Sequence, residues 1–381
     1  MMNKPDFPLS TRGSQIIDAS SPAKVIRWIC VNYVASLETL LPEGLSHLTP
    51  DELAATITSL GFNCVRLTWS IEMLQKGHMN AVGPGSAFSK YASETAQADI
   101  IRVNPWIAQA TVLQCLERVI DALARQDLMI IADNHVSKAA WCSSVNDGNR
   151  WFGDSCFPVD EWLAGLRQMA CIAKRHPNIV AIGLRNELLK LPIHHGLSHT
   201  DWVHHMSLGA RAVHAENSTL LLVAGGNFAA GNLGFIRSHH FVPEIKDRVV
   251  FESHIYNGGY VDPLWKRLGY KWTSRYLVNL IENRNGFVRS LKTRPAPYFL
   301  GEFGLNCQVY PRAANDAMFF RAVTDWIRKE QINFGFWCIC GSYAYREGQQ
   351  DRNEDFGLLT ADYKQVRNPE LVKVLQDIAK P

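Results

Sequence analysis

Short apolar runs alternate with segments of helical period along most of the chain. The runs read as strands at 24–33, 63–69, 128–136, 178–187, 218–226, 247–256, 297–304 and 332–341. Between and after them the pattern predicts helices at 49–62, 110–127, 159–176, 201–217, 274–292, 314–331 and 368–380, with a shorter one near 230–240. Thr49 and Glu52 form a capping box at the start of the first helix. Pro177 stops the helix at 159–176, and Gly286 is a weak point in the one at 274–292.

Strands that are apolar on both faces suit a parallel sheet covered by helices. Eight strand–helix units in order predict the closed form of that α/β arrangement, a (β/α)8 TIM barrel. A doubly wound open sheet is the alternative. It would normally carry a glycine-rich phosphate turn after its first strand, and "VNYVASLETLLPEG" has none. The 381 residues therefore read as a single barrel domain, with 1–23 as a lead-in and 137–158 as a long loop on the active face.

In such a barrel the chemistry sits at the carboxyl ends of the strands. Those ends are where the apolar pattern breaks. Strand two carries Arg66 and Thr68, and strand three ends in Asp133, Asn134 and His135. Strand four ends in Asn186 and Glu187, strand six in His254 and Tyr256, strand seven in Glu302, and strand eight carries Trp337. Each alone has a structural reading: a satisfied histidine, a paired arginine, a core aromatic. Their recurrence at one end argues for a shared polar cleft, because burying them singly without partners is costly.

Composition changes this picture little. The chain is 47% hydrophobic and 20% charged, with a formal net charge of +3 and no basic block, so no nucleic-acid footprint is expected. No apolar run is long enough to span a membrane, and the polar N-terminal stretch lacks a secretory signal's apolar core. The expectation is no membrane partner and a cytoplasmic protein as written, or a secreted one whose leader has been trimmed. The nine cysteines show no metal spacing. They read as buried and reduced, Cys338 and Cys340 included, although Cys142 and Cys156 share a loop and could bridge in an oxidising compartment. The histidines at 194–199 and 203–206 read as surface groups. No cofactor and no metal are expected.

Carboxylates at the ends of strands four and seven stand on roughly opposite sides of an eight-strand ring. A sugar between them would meet one on each side, which is what retaining glycoside hydrolysis needs. The ordered set Arg66, His135, Asn186–Glu187, His254-x-Tyr256, Glu302 in "GEFG" and Trp337 resembles glycoside hydrolase family 5, the cellulase-like retaining glycosidases. The loops "DNHVSKAAWCSSVNDGNRWFGD" and "GSYAYREG" look like an extended-loop branch of it found in plants and fungi.

The resemblance implies Glu187 as general acid/base and Glu302 as nucleophile. It implies Asn186 on the sugar 2-hydroxyl, Tyr256 bonded to Glu302, His254 and His135 supporting the site, Arg66 orienting the nucleophile and Trp337 beneath the reacting sugar. The chain departs from many relatives in "NEL" for "NEP" and "CVNY" for "GVNW", and it has Cys142–Ser143 where the branch often carries two adjacent cysteines.

Loop residues add candidates. Trp141 and Trp151 after strand three are candidate sugar platforms, with packing of the loop as the alternative. Tyr260, Trp265 and Trp272 follow strand six, and Tyr343, Arg346 and Glu347 follow strand eight. Enlarged loops around one mouth suggest a pocket more than an open cleft. The expected activity is hydrolysis of a β-glucan, β-mannan or small β-glycoside. The alternatives are transglycosylation or other acid/base chemistry on a small metabolite, and a non-catalytic sugar binder. The last fits less well, because binding alone does not need both carboxylates.

Overall fold

In the computed structural model, eight parallel strands close into a barrel: β4 (Ile29–Tyr33), β5 (Cys64–Ser70), β6 (Met129–Val136), β7 (Ile179–Gly183), β8 (Leu221–Gly225), β9 (Val249–Ile255), β10 (Tyr298–Phe303) and β11 (Asn333–Phe336). They follow one another around the ring in chain order, and β11 pairs with β4 to close it. The structure describes residues 7–81, 87–144, 146–190, 195–257, 274–292 and 294–381.

Helices cover the outside, and their limits follow local chemistry. Thr49 accepts the Glu52 N–H while Glu52 accepts the Thr49 N–H, so the helix Pro50–Ser59 starts with both groups satisfied. Thr111 and Gln114 repeat the device at Val112–Arg125, whose buried stripe includes Cys115, Leu116, Val119, Ile120 and Leu123. Among the described residues, no helix is long and apolar enough to cross a membrane.

Several boundaries differ from the sequence expectation. The first run splits into β3 (Val25–Ile26) and β4, and the lead-in is not featureless. β1 (Leu9–Arg12) and β2 (Gln15–Asp18) pair antiparallel, and β2 pairs with β3. This small sheet, with Trp28 just after it, brings Leu9, Ile16 and Ile26 against Cys30, Cys64, Met129 and Phe299 of the barrel, a separate apolar cluster that seals the amino-terminal end.

The long connection after β5 holds helices at Glu94–Val103 and in shorter pieces, the former capped by Ser93. The helix expected near 230–240 is a 3-10 turn at Gly234–Arg237. The one expected at 274–292 ends at Arg284 and gives way to a 3-10 turn at Gly286–Ser290. The segment "GSYAYREG" is no irregular loop: it belongs to a hairpin of β12 (Ser342–Arg346) and β13 (Gln349–Asn353).

Candidate active site

Alternation along the strands carries the barrel interior upward from that apolar seal. On β5, Cys64 lies in the apolar cluster and Arg66 is one step higher, with 0% exposure. Arg66 is the hub of the site. Its Nη2 lies 3.0 Å from Asp133 Oδ1 and its Nε lies 2.9 Å from Glu252 Oε1. Its Nη1 donates to Glu302 Oε1 at 2.8 Å and to Asn32 Oδ1 at 2.9 Å, while Nη2 donates to Asn186 Oδ1 at 2.9 Å. Burial alone would lower the guanidinium pKa, but Asp133, Glu252 and Glu302 outweigh it and raise it above its ordinary value.

Two glycines make room for these carboxylates. A Cβ on Gly301 would stand 1.8 Å from Glu252 Oε1, and one on Gly183 would stand 2.6 Å from Asp133 Oδ1. The glycine before Glu302 is thus a packing requirement of its neighbour. The β9–β10 pairing also shifts register between Leu300 and Glu302, which places Glu302 opposite His254.

Glu302 and Glu187 face each other. One carboxylate oxygen of each and a ring nitrogen of His254 all lie within 4.8 Å of one another. Tyr256 donates its hydroxyl to Glu302 Oε2 at 3.0 Å. His254 Nδ1 bonds Glu187 Oε1 at 2.9 Å and lies 3.6 Å from Glu302 Oε2, with Nε2 3.6 Å from Glu252. Burial disfavours the His254 imidazolium, yet Glu302, Glu187 and Glu252 around it prevail and raise its pKa to about 10. Burial likewise pushes the Glu187 carboxyl up, but the His254 hydrogen bond and charge, with His135 and Arg66, bring it below its ordinary value. Asp133 is also held low, its burial outweighed by Arg66 and His135. Burial raises the Tyr256 phenol well above its ordinary value, so it stays a donor.

Glu187 reaches the site by an irregular route. β7 ends at Gly183, and Glu187 has φ of 43°, in the left-handed region where a side chain is strained. The conformation is held from both sides: Asn186 N–H donates to the Asn134 carbonyl at 2.9 Å, and the Leu188 carbonyl accepts from Ala229 at 3.1 Å. A cavity of about 110 Å³ lies beside Glu187, lined by His254, Tyr256, Leu280, Ile281 and Arg284.

The remaining candidates divide. His135 bonds Asp133 through Nδ1 at 2.8 Å, lies 3.4 Å from Asn186 Nδ2, and stacks on Trp337 with ring centroids 5.7 Å apart. Trp141 stands edge-on to Trp337 at 5.2 Å. Trp151 is elsewhere: it is 6% exposed, packs on Phe152 and lies under Lys190, which is the packing alternative rather than a platform in the mouth. Tyr343 is buried and donates to Glu354 at 2.6 Å. Tyr260, Trp265 and Trp272 lie outside the described residues. Cys142 and Cys156 are free thiols, and Cys338 and Cys340 are fully buried. Strand eight ends before Trp337, so packing beyond the strand, not alternation within it, buries these last two.

Sequence reading missed Glu252 and Asn32. Both had a signal. Glu252 shares parity with His254 on β9 and with Tyr256 just past its end, and Asn32 shares parity with Cys30 on β4. Arg185 finds its place as a brace for the long loop: it donates to Ser137 Oγ at 2.9 Å, bonds Asn149, and lies 3.9 Å over the Phe157 ring. Burial lowers its pKa to about 9.

A closed (β/α)8 barrel with two facing carboxylates at its carboxyl end defines a class of sugar-cleaving enzymes. The cellulase family, glycosyl hydrolase family 5, matches residues 37–342. The chain belongs to that family.

A glycosyl hydrolase 5 family protein of Chamaecyparis obtusa is 34% identical over 389 aligned positions, covering 98% of this chain and 66% of the relative. An endoglucanase of Paenibacillus polymyxa is 22% identical, covering 86% of this chain and 79% of the relative. The fold is shared with an endocellulase of Pyrococcus horikoshii solved with cellotetraose, at a TM-score of 0.79 and 16% identity with full coverage of both chains. It is also shared with the catalytic domain of the major endoglucanase of Xanthomonas campestris pv. campestris, at a TM-score of 0.76 and 21% identity, covering 97% and 99% of the two chains.

Proposed function

We propose that the protein is a retaining β-glycosidase acting on β-glucan, β-mannan or a small β-glycoside. The observation that carries this reading is the approach of Glu187 and Glu302 to within 4.8 Å. Retaining enzymes hold the pair about 5 Å apart, whereas inverting enzymes leave room for a water between them.

In the first step Glu302 attacks the anomeric carbon, the bond to the leaving oxygen breaks, and Glu187 gives that oxygen a proton. In the second, water attacks the same carbon, its proton passes to Glu187, and the ester to Glu302 breaks. Arg66 and Tyr256 fix the two Glu302 oxygens. A general acid must carry a proton when the bond breaks. The raised pKa of His254 and the lowered one of Glu187, 2.9 Å apart, assign that proton to His254 in the free site. A bound sugar excludes water from the pair and brings the leaving oxygen to Glu187, which favours transfer of the proton to the carboxylate.

Asp133, Glu252, Glu302 and Glu187 outnumber Arg66 and His254, an excess of negative charge that suits a transition state with positive charge on the sugar. Asn186 turns its amide nitrogen away from Arg66 and toward His135, and the second N–H of that amide would serve the 2-hydroxyl. Glu187, His254 and Glu302 are also near enough to hold a cation, but this chemistry uses all three for protons and bonds to carbon.

Glu302→Ala should lower kcat on an activated aryl β-glycoside by about 10⁴-fold or more. Azide should restore turnover with inverted product. Near-normal activity without azide sinks the reading.

A further inference from the structure

Three loops that precede or follow different strands lock together on one side of Trp337. Trp141, after β6, stands at 79° to the Trp337 ring and packs on Tyr343 with centroids 5.1 Å apart. Arg346 of β12 lies flat on Trp141, with its guanidinium carbon 3.4 Å from the ring centroid. Arg346 is itself fixed by Glu354 at 3.1 Å, and Glu354 is 3% exposed and accepts from Tyr343 as well. The hairpin is tied in turn to the connection after β5: Tyr345 packs on Tyr91 at 4.8 Å, and Gln350 donates to the Tyr91 carbonyl at 2.9 Å.

An enzyme that cuts within a polymer needs a groove open at both ends of the reacting sugar. Here the leaving group must lie on the Glu187 side, because that carboxyl protonates it. With Trp337 as the floor of the reacting ring, the next sugar on the non-reducing side would meet Trp141, which stands edge-on to that floor at 5.2 Å. That indole is not free to swing: a cation–π contact covers it, and the buried Glu354 carboxylate holds the half-buried cation.

We propose that the site accepts a single sugar residue on its non-reducing side, so that the enzyme removes terminal monosaccharides from β-linked oligosaccharides or cleaves β-monoglycosides. This rests on the retaining-glycosidase reading and deepens it by assigning the substrate class.

The test compares 4-nitrophenyl β-monosides with the matching β-1,4-biosides of glucose and mannose, with the first products identified by chromatography. The wild-type protein is expected to release nitrophenol from a monoside. From the bioside it should release a monosaccharide and the nitrophenyl monoside, with direct cleavage at the aryl bond at least about 100-fold slower. Trp141→Gly should gain release of the intact disaccharide.

Wild-type release of disaccharide plus nitrophenol as the main first products overturns the inference while leaving the glycosidase reading intact. Absence of turnover of all four substrates, together with absence of labelling of Glu302 by 2-deoxy-2-fluoro glycosides, overturns both. The wild-type products decide the matter even if Trp141→Gly does not fold.

Discussion

Two residues apart on β5, Cys64 and Arg66 point into the same barrel and meet opposite surroundings. Cys64 lies among Cys30, Met129, Val250 and Phe299, under a lid of Leu9, Ile16 and Trp28. Arg66 lies among three carboxylates and two asparagines. The lower layer is held by apolar burial, which tolerates changes of shape at a graded cost. The upper layer is held by charge pairing in a site shielded from water, where removing one member leaves the others uncompensated. The amino-terminal end of the barrel is thus built for stability. The carboxyl end concentrates charge, which the proposed reaction would use.

The sharpest way to break this comparison is Arg66→Leu. It should abolish activity and also lower unfolding free energy by about 3–5 kcal/mol, since Asp133, Glu252 and Glu302 lose their common cation. Denaturant melts with parallel turnover assays check both. A variant with wild-type stability would mean that the carboxylates are solvated or protonated, and the contrast between layers would fail.

Trp28→Ala should remove about 3–5 kcal/mol by emptying a fully buried aromatic site, while the folded fraction keeps wild-type kcat. A loss of kcat in material shown to be folded would mean that the two layers are coupled.

The most gradual effect is in pH, where the change is small per unit. His254 has a pKa raised to about 10 by its carboxylate neighbours. A group whose pKa is higher folded than unfolded stabilises the fold fully below its unfolded value, near 6.5, and that contribution is lost as pH rises through about 10. Stability should therefore fall between these limits by at most about 1.4 kcal/mol per pH unit for this one proton. His254→Asn should flatten that slope. Glu187 works in the opposite sense: its lowered pKa stabilises above the unfolded value and is lost as acid protonates it.

Much of the site was legible in the chain because a barrel converts chain order into position. Polar residues that break an apolar run at its carboxyl end must share one mouth. Arg66, His135, Asn186, His254, Tyr256, Glu302 and Trp337 are gathered around Glu187 as that rule expects. Where the rule failed, alternation had ended or a loop had folded. Trp151 and Trp141 sit in the same loop and look alike in sequence, yet Phe152 and Lys190 take the first and Trp337 takes the second. Glu252 was hidden because a carboxylate within an apolar strand does not show which partner makes it tolerable.

By itself the sequence determined the number and order of the strands and the end of the barrel at which the polar residues gather, because periodicity and residue type are local properties; it pointed to Glu187 and Glu302 as the candidate acids through their family resemblance. The tertiary structure alone decided the approach of those acids to within 4.8 Å, the left-handed turn that aims Glu187, the lid of β1 to β3, and the wall that Arg346 and Trp141 raise beside Trp337. These depend on contacts between segments as far apart as residues 141 and 346, and no local pattern encodes a distance across the barrel.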